Sequence, residues 1–319
     1  MSEARSTHWA QIGESTFAGG IWFLYGVHVL AGRRVLRALL WPVVAFHACT
    51  QPRARRASLD YLRRMQAAHG VIGAEPATPH WLRHLMSFAE TLLDKLLATS
   101  GRYRWRNVRV EGQEQVDALL AQGRGALLVT AHVGCLELCQ ALATRLPGLR
   151  LTVLVHTRHA ERFNRILRRL NPDARVELLQ VSTVTAATAV ELEARVRAGE
   201  FVAIAGDRVP LEGGRTVPAR FLGAPAAFPV GAYVLASLLA CPLLFLGCVR
   251  ESAGHVVRFE LLAERLELPR VGRDLALREW AALFAGRLEA LLVRAPYDWF
   301  NFYDFWAPPA GAPQGSPAA

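Results

Sequence analysis

Lysine is almost missing from this chain of 319 residues: Lys95 stands alone among 37 basic residues, the others being arginine. Codon usage accounts for part of so lopsided a preference, which is therefore not read as a functional feature. Cysteine is sparse and odd in number (Cys49, Cys135, Cys139, Cys241 and Cys248), and no CxxC pair occurs. That excludes a disulfide framework and predicts reduced, buried thiols in a cytoplasmic setting. No GxSxG elbow is present, which weakens a hydrolase reading. Zinc-finger spacing, heptads beside a basic helix and aromatic RNA-binding signatures are all missing, so nucleic acid is the weakest candidate partner. The apolar run near the N-terminus has no basic start and no small-residue cleavage site, which predicts no cleavable signal. No internal repeat is visible.

What is there is a globular composition, 52% hydrophobic and 20% charged, with a formal net charge of +10. A basic chain of this kind suits acidic company: anionic lipid headgroups, phosphorylated substrates or an acidic carrier protein. Residues 15–32 carry no formal charge. Arg33, Arg34 and Arg37 follow, then a second apolar stretch, LWPVVAFHAC, then Arg53, Arg55 and Arg56. A spanning helix needs about 20 apolar residues, so the first run sits at the limit. Trp22, Tyr25 and Trp41 suit a headgroup boundary and the arginines an anionic leaflet. Residues 1–70 are therefore expected to be a helical, membrane-associated segment, lying in the membrane plane or spanning it. The alternative is a buried helical pair covering the rest of the chain.

From about residue 100 the rhythm changes. Short apolar runs (ALLVTA, RLTVLV, RVELLQV, FVAIAG, CPLLFLGCV) alternate with helical stretches such as LELCQALATRL and TAVELEARVRAG. Such alternation predicts an α/β fold, a mainly parallel central sheet flanked by helices, over residues 71–306. Helices are expected at Pro76 to Ala98 and Asp274 to Arg294, and a disordered Pro/Gly/Ala-rich tail at 307–319. The uncharged run from Ala226 to Val249 mimics a membrane span, but Pro242 divides it into a buried helix and a buried strand.

The sharpest local feature is GALLVTAHVGCLELCQAL, in which a buried strand delivers His132 to its carboxyl end and a helix begins near Gly134. Ligand-handling groups of open α/β sheets collect there. On one continuous helix His132 and Glu137 would lie about 140° apart. With His132 in the turn before the helix, Glu137 can reach back, fix the imidazole tautomer and leave the other nitrogen to take a proton. Backbone N–H groups freed by Gly134 could stabilise developing negative charge. By spacing alone, a strand-end histidine beside a solvated glutamate stays open. So do a Cys135 nucleophile and a zinc site on His132, Cys135 and Cys139.

His132-x4-Glu137 after a hydrophobic strand resembles the HxxxxD/E motif of glycerolipid and lipid A acyltransferases. The resemblance continues in order through HTRHAERFNRIL (His156 to Leu167), IAGDRVP (Ile204 to Pro210), ARFLGAPAAFPVGAYVLASLLACPLLFLGCV and APYDWFNFYDFW (Ala295 to Trp306), covering roughly residues 100–306. The chain is also similar to acyltransferases encoded with aryl polyene and related pigment pathways. The resemblance implies His132 as general base with Glu137 as its orienting carboxylate. It implies substrate-binding positions at His156, Arg158, Asn164, Asp207, Arg208 and Gly231, with Asp207 shaping the site and able to pair with Arg208. It implies direct acyl transfer from an acyl carrier protein or acyl-CoA thioester to a hydroxyl or amine of a membrane lipid or glycolipid, with no metal or redox cofactor. The expected location is the cytoplasmic face of a bacterial inner membrane. Val230 replaces the glutamate of the glycerolipid FPxG turn, which argues against glycerol phosphate as acceptor. His156 replaces an arginine, and Tyr303-Asp304 a His-Arg-Arg run, which argue against lipid A. A thioesterase and a non-catalytic lipid- or carrier-binding protein are the rival readings.

Overall fold

The computed structural model describes residues 18–143, 148–155, 176–180, 185–208, 214–252 and 254–307. Three helices come first: α1 (Ala18–Thr50), α2 (Pro52–His69) and α3 (Thr78–Thr99). Pro52 starts α2, where its missing N–H is no loss, and left-handed Gly70 ends it by donating to the Gln66 carbonyl. The α/β part follows as β1 (Val108–Glu111), α4 (Gln113–Ala121), β2 (Ala126–Thr130), α5 (Glu137–Ala143), β3 (Leu151–Val155), β4 (Val176–Gln180), α6 (Ala186–Arg197), β5 (Phe201–Ala205), β6 (Thr216–Phe221), β7 (Ala224–Pro229), α7 (Gly231–Leu239), β8 (Leu243–Glu251), β9 (Gly254–Ala263) and α8 (Arg273–Arg294).

Seven strands form one sheet in the order β1-β9-β8-β2-β5-β3-β4, and β6 with β7 makes a separate hairpin. Every neighbouring pair in the sheet is parallel except β8 with β9. The expected mainly parallel sheet with flanking helices is therefore present. Side-chain alternation along β2 sorts the two faces. Leu127 and Val129 pack with residues of α2, α6, α7, α8 and the hairpin, while Ala126 and Leu128 pack with α4, α5 and the end of α3. β2 lies between β5 and β8 and is buried at every position, as a central parallel strand requires.

The two outer helices expected from the sequence run over Thr78–Thr99 and Arg273–Arg294, and Pro242 does separate α7 from β8. The β6–β7 hairpin was not anticipated. Its turn residues Leu222 and Gly223 both have positive φ (49° and 81°), a twist that suits a two-residue hairpin. Glu289 of α8 fastens the turn, accepting from the Leu222 N–H at 2.8 Å and bonding His69 of α2 at 2.7 Å.

α1 kinks at Gly32 (φ 79°, ψ 178°). Beyond the kink, Leu36, Leu40 and Val44 pack on Met86, Leu93 and Leu97 of α3. The adjoining side of the same helix stays bare, with Val35, Leu39, Val43 and Phe46 exposed. Among the described residues no helix is long and apolar enough to cross a membrane. Arg33 ties α1 down through Asp94 (2.8 Å) and Glu90 (3.3 Å) of α3, and Arg250 of β8 pairs with the same two carboxylates. Asp94 is fully buried (0% exposed). Removing one partner from a buried ionic network strands the others' charges. Asp94→Ala is thus expected to lower the unfolding free energy by about 3–5 kcal/mol, read by denaturant titration.

Candidate active site

Strand register builds the centre of the site. Thr130 of β2 is paired with Ala205 of β5, so two residues further on His132 and Asp207 emerge side by side from adjacent parallel strands. Gly206 lets the chains stay close: its N–H donates to the Thr130 carbonyl at 2.7 Å, and a Cβ there would meet Val129 Cγ2 at 2.8 Å. Each strand thus ends in one small residue followed by a polar one, Ala131-His132 and Gly206-Asp207.

Asp207 is 2% exposed and holds three donors. Its Oδ1 lies 2.8 Å from His132 Nδ1, and its Oδ2 accepts from the His132 backbone N–H (2.9 Å) and from the Trp299 indole N–H (3.1 Å). Burial opposes its ionisation, but His132 and Arg208 prevail and hold its pKa down to about 2. An ionised carboxylate only accepts, so Nδ1 carries the hydrogen and Nε2 carries the lone pair. Among the described residues no hydrogen bond is made to Nε2, and the His132 side chain keeps 39% exposure. The imidazole is lowered from its ordinary value, first by burial and then by the Arg208 charge, with Lys95 adding to the effect, although Asp207 pulls the other way. At neutral pH it is an uncharged base with one nitrogen fixed and the other presented.

The carboxylate on the imidazole is therefore Asp207, and Glu137 does not take the place expected for it. Glu137 Oε1 instead accepts from Lys95 Nζ of α3 at 3.0 Å. The reason lies in the turn between β2 and α5. Gly134 is left-handed (φ 54°), with a Cβ position only 2.0 Å from the Cys248 carbonyl oxygen, and its N–H donates to the Asp298 carbonyl at 2.8 Å. Helix α5 then starts at Glu137 rather than near Gly134. The Gly134 N–H is consequently not free for developing charge. Burial and the neighbouring Glu137 push the Cys135 thiol well above its ordinary value, which disfavours a Cys135 thiolate nucleophile. No group of three or more His, Cys, Asp or Glu among the described residues is placed to hold a metal ion.

The closing segment after α8 forms a wall of the site. Val133 and Trp299 make an antiparallel bridge, and the Phe300 N–H donates to the His132 carbonyl at 3.0 Å. Arg208 donates to the Phe300 carbonyl (3.2 Å) and lies over the Tyr303 ring, whose hydroxyl donates to the Asp207 carbonyl (3.3 Å). The first helices reach the same segment from behind. His84 of α3 is buried between the Ser58 hydroxyl (2.7 Å) and the Trp299 carbonyl (2.9 Å), and burial lowers its pKa to about 4. Neutral His84 therefore donates through Nε2 and accepts from Ser58. Tyr61 donates to the Pro296 carbonyl at 2.8 Å, and Ser87 to Asp298 Oδ1 at 2.7 Å. Nothing in the local pattern of α2 or α3 signalled this, because these partners lie more than 200 residues away in sequence.

Of the other expected site residues, Arg208 sits beside Asp207 as described. Gly231 opens α7 and is exposed, with no hydrogen bond or ion pair among the described residues joining it to His132. His156, Arg158 and Asn164 lie outside the described residues, as do positions 308–319 of the tail.

Comparison with curated proteins returns no match. A family model does match: that of the bacterial lipid A biosynthesis acyltransferases, over residues 90–307. The matched span starts within α3, contains the whole sheet and ends with the segment that bonds His132. With two thirds of its length so matched, the chain belongs to the bacterial lipid A biosynthesis acyltransferase family and is an acyltransferase enzyme.

Proposed function

We propose that this enzyme transfers a fatty or polyene acyl group from a thioester of acyl carrier protein or coenzyme A to a hydroxyl or amine of a membrane lipid or glycolipid. His132 is the general base. The observation that carries the reading is the neutral imidazole whose Nδ1 is bonded to buried Asp207 while Nε2 has no partner among the described residues. In the forward step Nε2 takes the proton of the acceptor group as its oxygen or nitrogen attacks the thioester carbonyl. The tetrahedral intermediate then collapses, the carbon–sulfur bond breaks, and the imidazolium returns the proton to the departing thiolate. Asp207 stabilises the imidazolium in between and fixes its orientation. Trp299 and the His132 N–H hold Asp207 in turn. The net charge of +10 favours the acidic carrier protein as donor.

Enzyme given dodecanoyl-carrier protein and a total membrane lipid extract should form acylated lipid, followed by mass spectrometry. His132→Ala is expected to lower that rate about a hundredfold or more, and Asp207→Asn about 10²- to 10⁴-fold. Because burial and Arg208 keep the imidazole below its ordinary value, the acid limb of the wild-type rate profile should have its midpoint below 6.5, the ordinary value for histidine. Free dodecanoate in place of acylated lipid would favour the thioesterase reading. Acyl binding without turnover would favour a carrier-binding protein.

The acceptor's place in a bilayer calls for a surface that meets lipid. Val35, Leu39, Val43 and Phe46 line one exposed side of α1 at helical spacing, and Arg34 and Arg37 are exposed on the same helix. We place this face in the interface plane of the cytoplasmic leaflet of the inner membrane. Cosedimentation with vesicles containing phosphatidylglycerol should show binding, and Leu39→Glu with Phe46→Glu should reduce it at least tenfold. Equal sedimentation of the double variant would contradict this placement.

A further inference from the structure

The chain's single lysine is half-buried beside the active site rather than fully solvated at the surface. Lys95 Nζ lies 3.0 Å from Glu137 Oε1, and the other oxygen of Glu137 is 3.9 Å from Cys135 Sγ, three residues beyond His132. Both partners are largely covered, with the side chain of Lys95 25% exposed and that of Glu137 12%. Two carboxylates are thus built into this site, and each has a separate cationic or donor partner. Asp207 has His132 and Trp299; Glu137 has Lys95.

We propose that Lys95 is a positioning residue for His132: by tethering and neutralising Glu137 it leaves Asp207 as the one carboxylate coupled to the imidazole, and keeps Nε2 free for the acceptor's proton. An unpaired Glu137 carboxylate in this covered site would attract the imidazolium form or draw Nε2 into a bond of its own. Either would remove the base from the reaction. The family's HxxxxE spacing placed Glu137 on the histidine; in this chain α3 supplies a cation that intercepts it. This role rests on His132 being the general base.

The charged and titratable groups on the elements around His132 set the direction of the test. Lys95 comes from α3, Cys135 and Glu137 from the turn and start of α5, Asp207 and Arg208 from the end of β5, and Asp298 and Tyr303 from the closing segment. Burial disfavours the Lys95 charge, yet Glu137 more than offsets this and leaves the ammonium raised. Lys95 in turn contributes to lowering His132. Removing the lysine takes away a cation and exposes an anion, two changes of the same sign on the imidazole.

The experiment is an NMR titration of His132 in the full chain labelled with [13Cε1]-histidine, with the resonance assigned by His132→Gln. Lys95→Met should raise the His132 midpoint, and Glu137→Gln should lower it, each by about half a pH unit or more. The double variant should return close to wild type, and Lys95→Arg should leave the midpoint in place. Midpoints that do not move, or single variants that shift the same way, overturn the proposal. If Lys95→Met does not fold, the downward shift of Glu137→Gln decides alone. Transfer assays on His132→Ala judge the general-base reading separately, so an unmoved midpoint beside lost transfer rejects only the role of Lys95.

Discussion

Two oxygens of one buried carboxylate organise this molecule. Asp207 takes the imidazole and the backbone of His132 from one neighbouring strand, and the indole of Trp299 from the far end of the chain. An ion buried to 2% exposure is tolerable only when its lone pairs are filled, so each of these three donors depends on the other two being in place. The sheet provides the first two without special local geometry, since β2 and β5 are parallel neighbours in a register that brings their ends level. The third needs the chain to return after α8, and the Val133–Trp299 bridge marks where it does.

The closing segment also carries the link to the N-terminal helices. Ser58, Tyr61, His84 and Ser87 all end on backbone or side-chain acceptors between Pro296 and Trp299, directly or through His84. The helices that bring α1 to the molecule are thus bonded to the strip of chain that bonds His132. This gives a physical path from α1 to the site, with the kink at Gly32 and the Arg33–Asp94 pair as its outer end. A family domain that begins within α3 is completed here by two further helices that belong to the same packed body.

Much of this was legible in the amino-acid sequence. Period and composition marked the parallel strands, because a strand such as ALLVT that is covered on both sides leaves an unbroken apolar run. Pro242 separated α7 from β8, since its ring cannot continue a helix. His132 stood out as a polar residue directly after such a run. Its partner did not, because HxxxxE spacing points to the near carboxylate, whereas the real bond follows from β2 and β5 being neighbours. The parallel endings ALLVT-Ala-His and FVAIA-Gly-Asp held the signal: two strands of equal length, each followed by a small and then a polar residue. Trp299 was hidden for a different reason. In an aromatic-rich stretch, the indole that donates to the site carries the same apolar signature as those that only pack. The β6–β7 hairpin escaped because its turn places Leu222, rather than Asn or Asp, in the left-handed region and relies on Glu289 to fasten it.

The tautomer of His132 tests the centre of the account most directly, by 15N–1H correlation spectroscopy on the resting enzyme at pH 7.5. A protonated Nδ1 with a bare Nε2 is expected, together with a downfield Nδ1 proton that disappears in Asp207→Asn and persists in Glu137→Gln. A proton found on Nε2, or a signal lost with Glu137 and kept without Asp207, would contradict it.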